Sequence, residues 1–256
     1  MPSLSTAPGR PGSRPTWTSS AKDMVITALG TSRVWITLGY GIVNEVYWPG
    51  TGKPQIRDLG FIVAGPSGWF EVKRVNRYRI SVPPHFLPLP QVIHEGDGYK
   101  LVLEVTPDPL RDVVLISFRL TGDGMRPYVL LAPHLDNGGE HNNARAGKDL
   151  GAWKGENALC LLSDCSFSRS SAGYVGVSDG WQDFYQNGRM TWTYGEAADG
   201  NVALLGDLQD RVRPEVGLGT RAQERGLDVV EFQGGRLAQA PQHRRHGGHL
   251  CSPCPS

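Results

Sequence analysis

Residues 34–63 read VWITLGYGIVNEVYWPGTGKPQIRDLGFIV, and the punctuation of this stretch decides the fold class. Val34–Leu38, Ile42–Trp48 and Ile56–Val63 are β-branched and aromatic runs, the residue types that pack well on a pleated, half-buried surface. Gly39-Tyr40-Gly41 and Pro49-Gly50-Thr51-Gly52 break them with residues that fit turns. Working outward, Trp69–Val75, Arg77–Val82, Lys100–Pro107, Val113–Thr121 and Tyr128–Pro133 continue at spacings of roughly ten residues. Ala158–Ser163, Tyr174–Val177, Met190–Tyr194 and Val202–Leu205 are later candidates. No apolar 3.6-residue period is held over the ~11 residues of an average helix. The pattern predicts an all-β protein, one large sandwich.

Composition agrees. Of 256 residues, 33 are glycine and 19 proline, a turn-rich content unlike that of a helical bundle. The formal net charge is +1, which argues against nucleic acid or an anionic membrane as the main partner. No apolar run approaches the ~20 residues that span a bilayer. The opening MPSLSTAPGR has no basic or apolar signal-peptide region, so the cytoplasm is the default expectation. Four cysteines are too few for a disulfide scaffold, and Cys160 and Cys165, in or beside a predicted strand, read as buried thiols.

The two ends differ from the middle. Residues 1–16, MPSLSTAPGRPGSRPT, read as an extended lead-in, and residues 17–208 as the β domain. After position 210 the only aromatic residue is Phe232, lysine is absent, and stretches such as QGGRLAQAPQHRRHGGH appear. Residues 209–256 therefore read as an aberrant or disordered tail, too poor in large apolar groups to offset the entropy of ordering. His243, His246, His249, Cys251 and Cys254 crowd that tail, but no second Cys-x-x-Cys accompanies them. No metal, cofactor or catalytic residue is expected.

Three stretches carry the candidate contacts. Ala132–Asn143 contains His134, Asp136, Asn137, Glu140 and His141. Amides, carboxylates and imidazoles of this kind suit sugar hydroxyls, and the same groups equally satisfy a long turn. Ser178–Phe184 reads as a loop holding Trp181 and Asp183; its indole can stack on a pyranose or anchor an interdomain contact. Tyr47 and Trp48, at a strand end, read as core or interface. Asp108 and Asp112 flank Arg111 in a PDPLRD turn, where a salt bridge accounts for them.

A family likeness emerges from longer strings. PTWTSSAK (15–22), SRVW (32–35), GIVNEVYWP (41–49) and PQIRDLGF (54–61) resemble the start of bacterial glucoamylases and glucodextranases, glycoside hydrolase family 15. APHL (132–135), SDGWQD (178–183) and GNVAL (200–204) look like later landmarks of the same N-terminal domain. The resemblance implies a super-β-sandwich of the galactose-mutarotase-like type. It also implies a following α/α barrel bearing two catalytic glutamates, with exo-acting, inverting hydrolysis of α-glucans. Nothing in residues 209–256 resembles that barrel, and likeness and composition change together near Asp207–Asp210, as a frameshifted or truncated product would show.

The expectation is thus an N-terminal domain fragment of a glucoamylase-like hydrolase, inactive alone, whose partner is the missing barrel. A free-standing α-glucan-binding module is the alternative, and it requires exposed coplanar aromatics such as Trp181 with Tyr185. A mutarotase-like epimerase with His134 as proton carrier beside Glu140 rests on fold analogy alone.

Overall fold

The computed structural model describes residues 5–17, 22–82, 89–164 and 167–208, and the backbone alone of 222–234. The strands are β1 (Met24–Thr27), β2 (Trp35–Gly39), β3 (Ile42–Tyr47), β4 (Pro54–Gly65), β5 (Gly68–Glu71), β6 (Tyr78–Ser81), β7 (Gln91–Gly96), β8 (Tyr99–Pro107) and β9 (Val113–Thr121). They continue with β10 (Arg126–Pro133), β11 (Asn142–Ala146), β12 (Leu150–Lys154), β13 (Asn157–Leu161), β14 (Ser170–Tyr174), β15 (Glu196–Gly200), β16 (Val202–Asp207) and β17 (Ala222–Gly234). A four-residue turn of helix, α1 (Val72–Val75), and a longer helix, α2 (Gly180–Asn187), complete the regular structure.

Two antiparallel sheets result. One runs β1-β2-β3-β4-β10-β16-β14, with β5 hairpinned onto β4; the other runs β15-β11-β12-β13-β17-β9-β8-β7-β6. The all-β sandwich expected from the sequence is what forms. Period-two alternation shows how β10 and β16 serve two cores at once. Val129, Leu131 and Leu204 point into the main core between the sheets, where Phe61 meets Phe118 at 5.6 Å between ring centroids. Tyr128 and Leu205 point the other way, into a smaller cluster with Ile62, Phe184 and Met190 that α2 covers. Strand β16 is therefore buried on both faces, which is why it reads VALLGD rather than alternating apolar and polar.

Several expectations change. The stretch 178–184 is not a loop: Asp179 caps α2 by accepting the Gln182 backbone N–H at 2.9 Å, and Gly188, in the left-handed region at φ 67°, closes it. The Asp-x-x-Gln spacing and the Asn-Gly ending were the signals for it. Residues 190–194, read as a strand, are irregular.

The ends are also more integrated than their composition implies. The lead-in is stitched to the sandwich: the Ala7 N–H donates to Glu196 O, Ser13 N–H to Val175 O, and Asn201 N–H to Pro11 O, each at 2.8 Å. Within the stretch read as a tail, β17 pairs with β13 on one side and β9 on the other, in the middle of its sheet. Its run Leu227-Asp228-Val229-Val230-Glu231-Phe232 carries the β-branched and aromatic types a strand favours, submerged in the Gly- and Arg-rich surroundings that dominated the reading. The His/Cys cluster from His243 to Cys254 lies outside the described residues. Cys160 is corrected as well: it is disulfide-bonded, not a free buried thiol, a pairing set by the fold that the residues around a cysteine do not reveal.

Candidate functional site

Two clefts on the described surface differ in how their polar groups are satisfied. The first, about 260 Å³, lies on the outer face of the β4–β10 sheet, between α1 and α2. Gly60, Leu130 and Ala203 line its apolar part, and Asp58, Glu71 and Trp181 are among its polar and aromatic lining groups. Every carboxylate here is held by neighbours. Asp58 accepts from Arg57 Nε and Lys73 Nζ, both at 3.0 Å. Glu71 Oε2 accepts from the Trp181 indole at 2.9 Å and from Arg74 Nε at 2.6 Å. Asp179 Oδ1 takes the Gln182 N–H and Oδ2 the Gly176 N–H. Burial pushes the Asp179 carboxyl above its ordinary value, against the pull of those backbone donors. With both oxygens engaged as a helix cap, it is a structural group, not a poised proton donor.

The second cleft, about 340 Å³, lies between lead-in residues 14–17 and the turn 137–141 that follows β10. His134 lines it and is 1% exposed, yet neither of its ring nitrogens has a hydrogen-bond partner. The Trp17 ring meets the imidazole edge-on at 4.7 Å. A side chain at Gly139 would collide there: its Cβ would sit 2.7 Å from His134 Nε2 and 2.5 Å from Pro15 Cβ. Burial, aided by Arg57 and Lys154, pushes the His134 pKa down to about 3. The ring is therefore neutral near pH 7, so it does not act as an imidazolium acid, and the epimerase reading loses its proton donor.

Of the six candidate contacts, the structure places two in clefts, Trp181 in the first and His134 in the second. Trp48 is 4% exposed and donates its indole N–H to Asp112 Oδ2 at 2.7 Å, with the Arg33 guanidinium over its ring. Tyr47 bonds Glu45 Oε2, and burial with that carboxylate pushes its hydroxyl up to about 12. Asp136 is exposed, 3.4 Å from Lys53 Nζ. Asp183 is fully buried and takes the Thr191 and Trp192 backbone N–H groups at 2.6 and 2.7 Å, with Asn187 and the Thr191 hydroxyl on its other oxygen. These four line neither cleft. Sequence reasoning missed Glu71 and Arg74 in the first cleft and Trp17 and Lys154 in the second, which the fold brings to Trp181 and His134 from distant parts of the chain.

The Trp181 ring is not an open platform. Tyr185 stacks on it, 12° from parallel with centroids 5.4 Å apart, and the Arg74 guanidinium lies 4.6 Å from its centroid. The two aromatics face each other instead of lying side by side.

Fold and clefts together define an antiparallel two-sheet sandwich module with one helix-covered outer face. The chain belongs to the family described as glucodextranase, domain N, whose model matches residues 7–225. It is 28% identical over 208 residues to a glucoamylase of Clostridium sp. (strain G0005), a stretch covering 75% of this chain and 29% of that protein. A crystal structure of a bacterial glucoamylase complexed with acarbose shares the fold, with a TM-score of 0.81 and 23% identity. That match covers 91% of this chain and 35% of the glucoamylase, so the chain spans about a third of such proteins.

Proposed function

We propose that this chain serves as the N-terminal β-domain of a glucoamylase-like glycoside hydrolase, packing on an α/α-barrel domain that carries exo-acting, inverting cleavage of α-glucans. The family match over residues 7–225 is the observation that carries the reading. The paired carboxylates of the first cleft support it: an acid and a base for glycoside cleavage need free, positioned carboxyl groups. The α2 face is the docking surface in this reading. Tyr185 is 69% exposed there, and large aromatics in such positions anchor interdomain contacts.

The test has two arms. The purified chain is assayed for glucose release from maltose, starch and dextran, and none is expected above blank. It is then mixed with the separately produced catalytic portion of the Clostridium glucoamylase, and complex formation is followed by analytical ultracentrifugation. Association that Tyr185→Ser weakens supports the reading. Glucose release by the chain alone, abolished by mutating one of its own carboxylates, overturns it. A glucan-binding module without a docking partner is the competing outcome, and the closed Trp181–Tyr185 stack disfavours it at this face.

A further inference from the structure

Buried polar groups in folded proteins are nearly always hydrogen-bonded, and one left bare is destabilising. His134 therefore poses a physical question. The imidazole is 1% exposed and both nitrogens lack partners, although it lines an open cleft. The groups around it repeat the pattern. Among the described residues, the Arg14, Asn137, Glu140 and Lys154 side chains have no hydrogen-bond or ion-pair partner, and all four line the same cleft. The first cleft offers the contrast, since each of its carboxylates is already paired.

We propose that the cleft between residues 14–17 and 137–141 binds one ring of a polyhydroxylated ligand, a sugar unit, with His134 as its buried polar anchor and Trp17 as its apolar wall. The mix of donors and acceptors selects the ligand class. Arg14 and Lys154 only donate, Glu140 only accepts, and Asn137 and a neutral imidazole do both. Hydroxyl groups also do both, so a polyol satisfies such a set, whereas an anion needs donors alone and meets repulsion from Glu140. The Trp17 ring is 39% exposed and gives the C–H face of a pyranose an apolar surface. A cleft of about 340 Å³ sits at the small end of ligand pockets, a size for one or two rings. Glycine at 139 leaves the space beside the imidazole free, where any Cβ would collide with His134 Nε2. This site needs no catalytic domain and stands apart from the docking role.

The experiment is titration calorimetry of the full chain with glucose, maltose and isomaltose, alongside glucuronate and inorganic phosphate. Saturable millimolar binding of a neutral sugar is expected. Trp17→Ala and His134→Leu should each weaken it about tenfold, the scale of one lost contact of ~1.4 kcal/mol. Leu110→Ser, at a 74% exposed position outside the cleft, should leave it unchanged. His134→Leu removes the bare polar group and should also raise Tm, which separates lost recognition from lost folding. If Trp17→Ala fails to fold, Glu140→Gln, at an exposed position, replaces it with the same expected direction. Binding of phosphate or glucuronate without neutral sugar overturns the proposal, as does sugar binding indifferent to these variants. A folded chain that takes up no sugar yet associates with the catalytic portion sinks this inference and leaves the docking role standing.

Discussion

The indole N–H of Trp48 donates to Asp112 Oδ2 at 2.7 Å, tying the end of β3 to the turn before β9. The same carboxylate takes the Arg33 backbone N–H at 2.7 Å and its Nε at 3.0 Å. In sequence this aspartate looked like one half of a turn salt bridge with Arg111. That role belongs to Asp108, whose Oδ2 pairs with Arg111 at 2.6 Å. Asp112 instead joins three segments.

Asp112→Ala should accordingly destabilise the chain by about 2 kcal/mol, through the stranded indole and guanidinium donors. Burial alone would raise the Asp112 pKa, but hydrogen bonds from Arg33 and Trp48 outweigh it and hold the carboxyl below its ordinary value. The folded state thus binds its proton less readily than the unfolded state. The stabilisation is full above the ordinary value of 3.8 and is lost as pH falls through the lower folded value. Urea midpoints of wild type and Asp112→Ala should converge in that acid range; midpoints that stay apart would show the charge to be irrelevant.

His134 is a base, not an acid, yet its pH dependence has the same direction. Its folded pKa, pushed by burial to about 3, lies below the ordinary 6.5, so between those values the unfolded chain binds the extra proton. Stability should fall by about 1.4 kcal/mol for each pH unit below 6.5, until about 3. His134→Leu should flatten this limb in a thermal-melt series from pH 7 to 4. An unchanged slope would assign the acid sensitivity elsewhere.

Asp183→Ala should cost about 2 kcal/mol, because it removes the buried carboxylate that holds the Thr191 and Trp192 backbone N–H groups. Equilibrium urea unfolding gives the number, and a loss below ~0.5 kcal/mol would mean that residues 190–192 re-pair without it.

A chain ending at Arg221 lacks β17 and leaves β9 and β13 with bare edges in mid-sheet. Its Tm should drop by many degrees or its cooperative transition should vanish, although composition reads this stretch as a disordered tail. A truncated chain with native Tm and unchanged circular dichroism would show the pairing to be inessential.

What the sequence disclosed follows the range of the interactions. Val113–Thr121 was bounded correctly as β9, and β3, β4, β8 and β10 nearly so, because their apolar alternation is local. Helix α2 escaped because eight residues carry barely two turns of periodicity and its Trp181 looked like a loop aromatic. Strand β17 escaped because one apolar run was averaged into a polar tail. At the clefts, His134 and Trp181 were named, but their surroundings were not. Trp17 meets His134 across 117 positions of chain, and Glu71 meets Trp181 across 110, so no local spacing announces either pair.

Strand β17 also sets a timetable. On a ribosome, β9 and β13 emerge well before their shared neighbour, and the second sheet stays split into two halves until residues 222–234 leave the exit tunnel. Closing that seam joins Glu224 to Arg119, more than a hundred positions apart, and such non-local pairing is slow. The nascent protein therefore waits with two open strand edges in the crowded cytosol or translocation path, the period in which chaperone capture or aberrant pairing with another copy competes with completion.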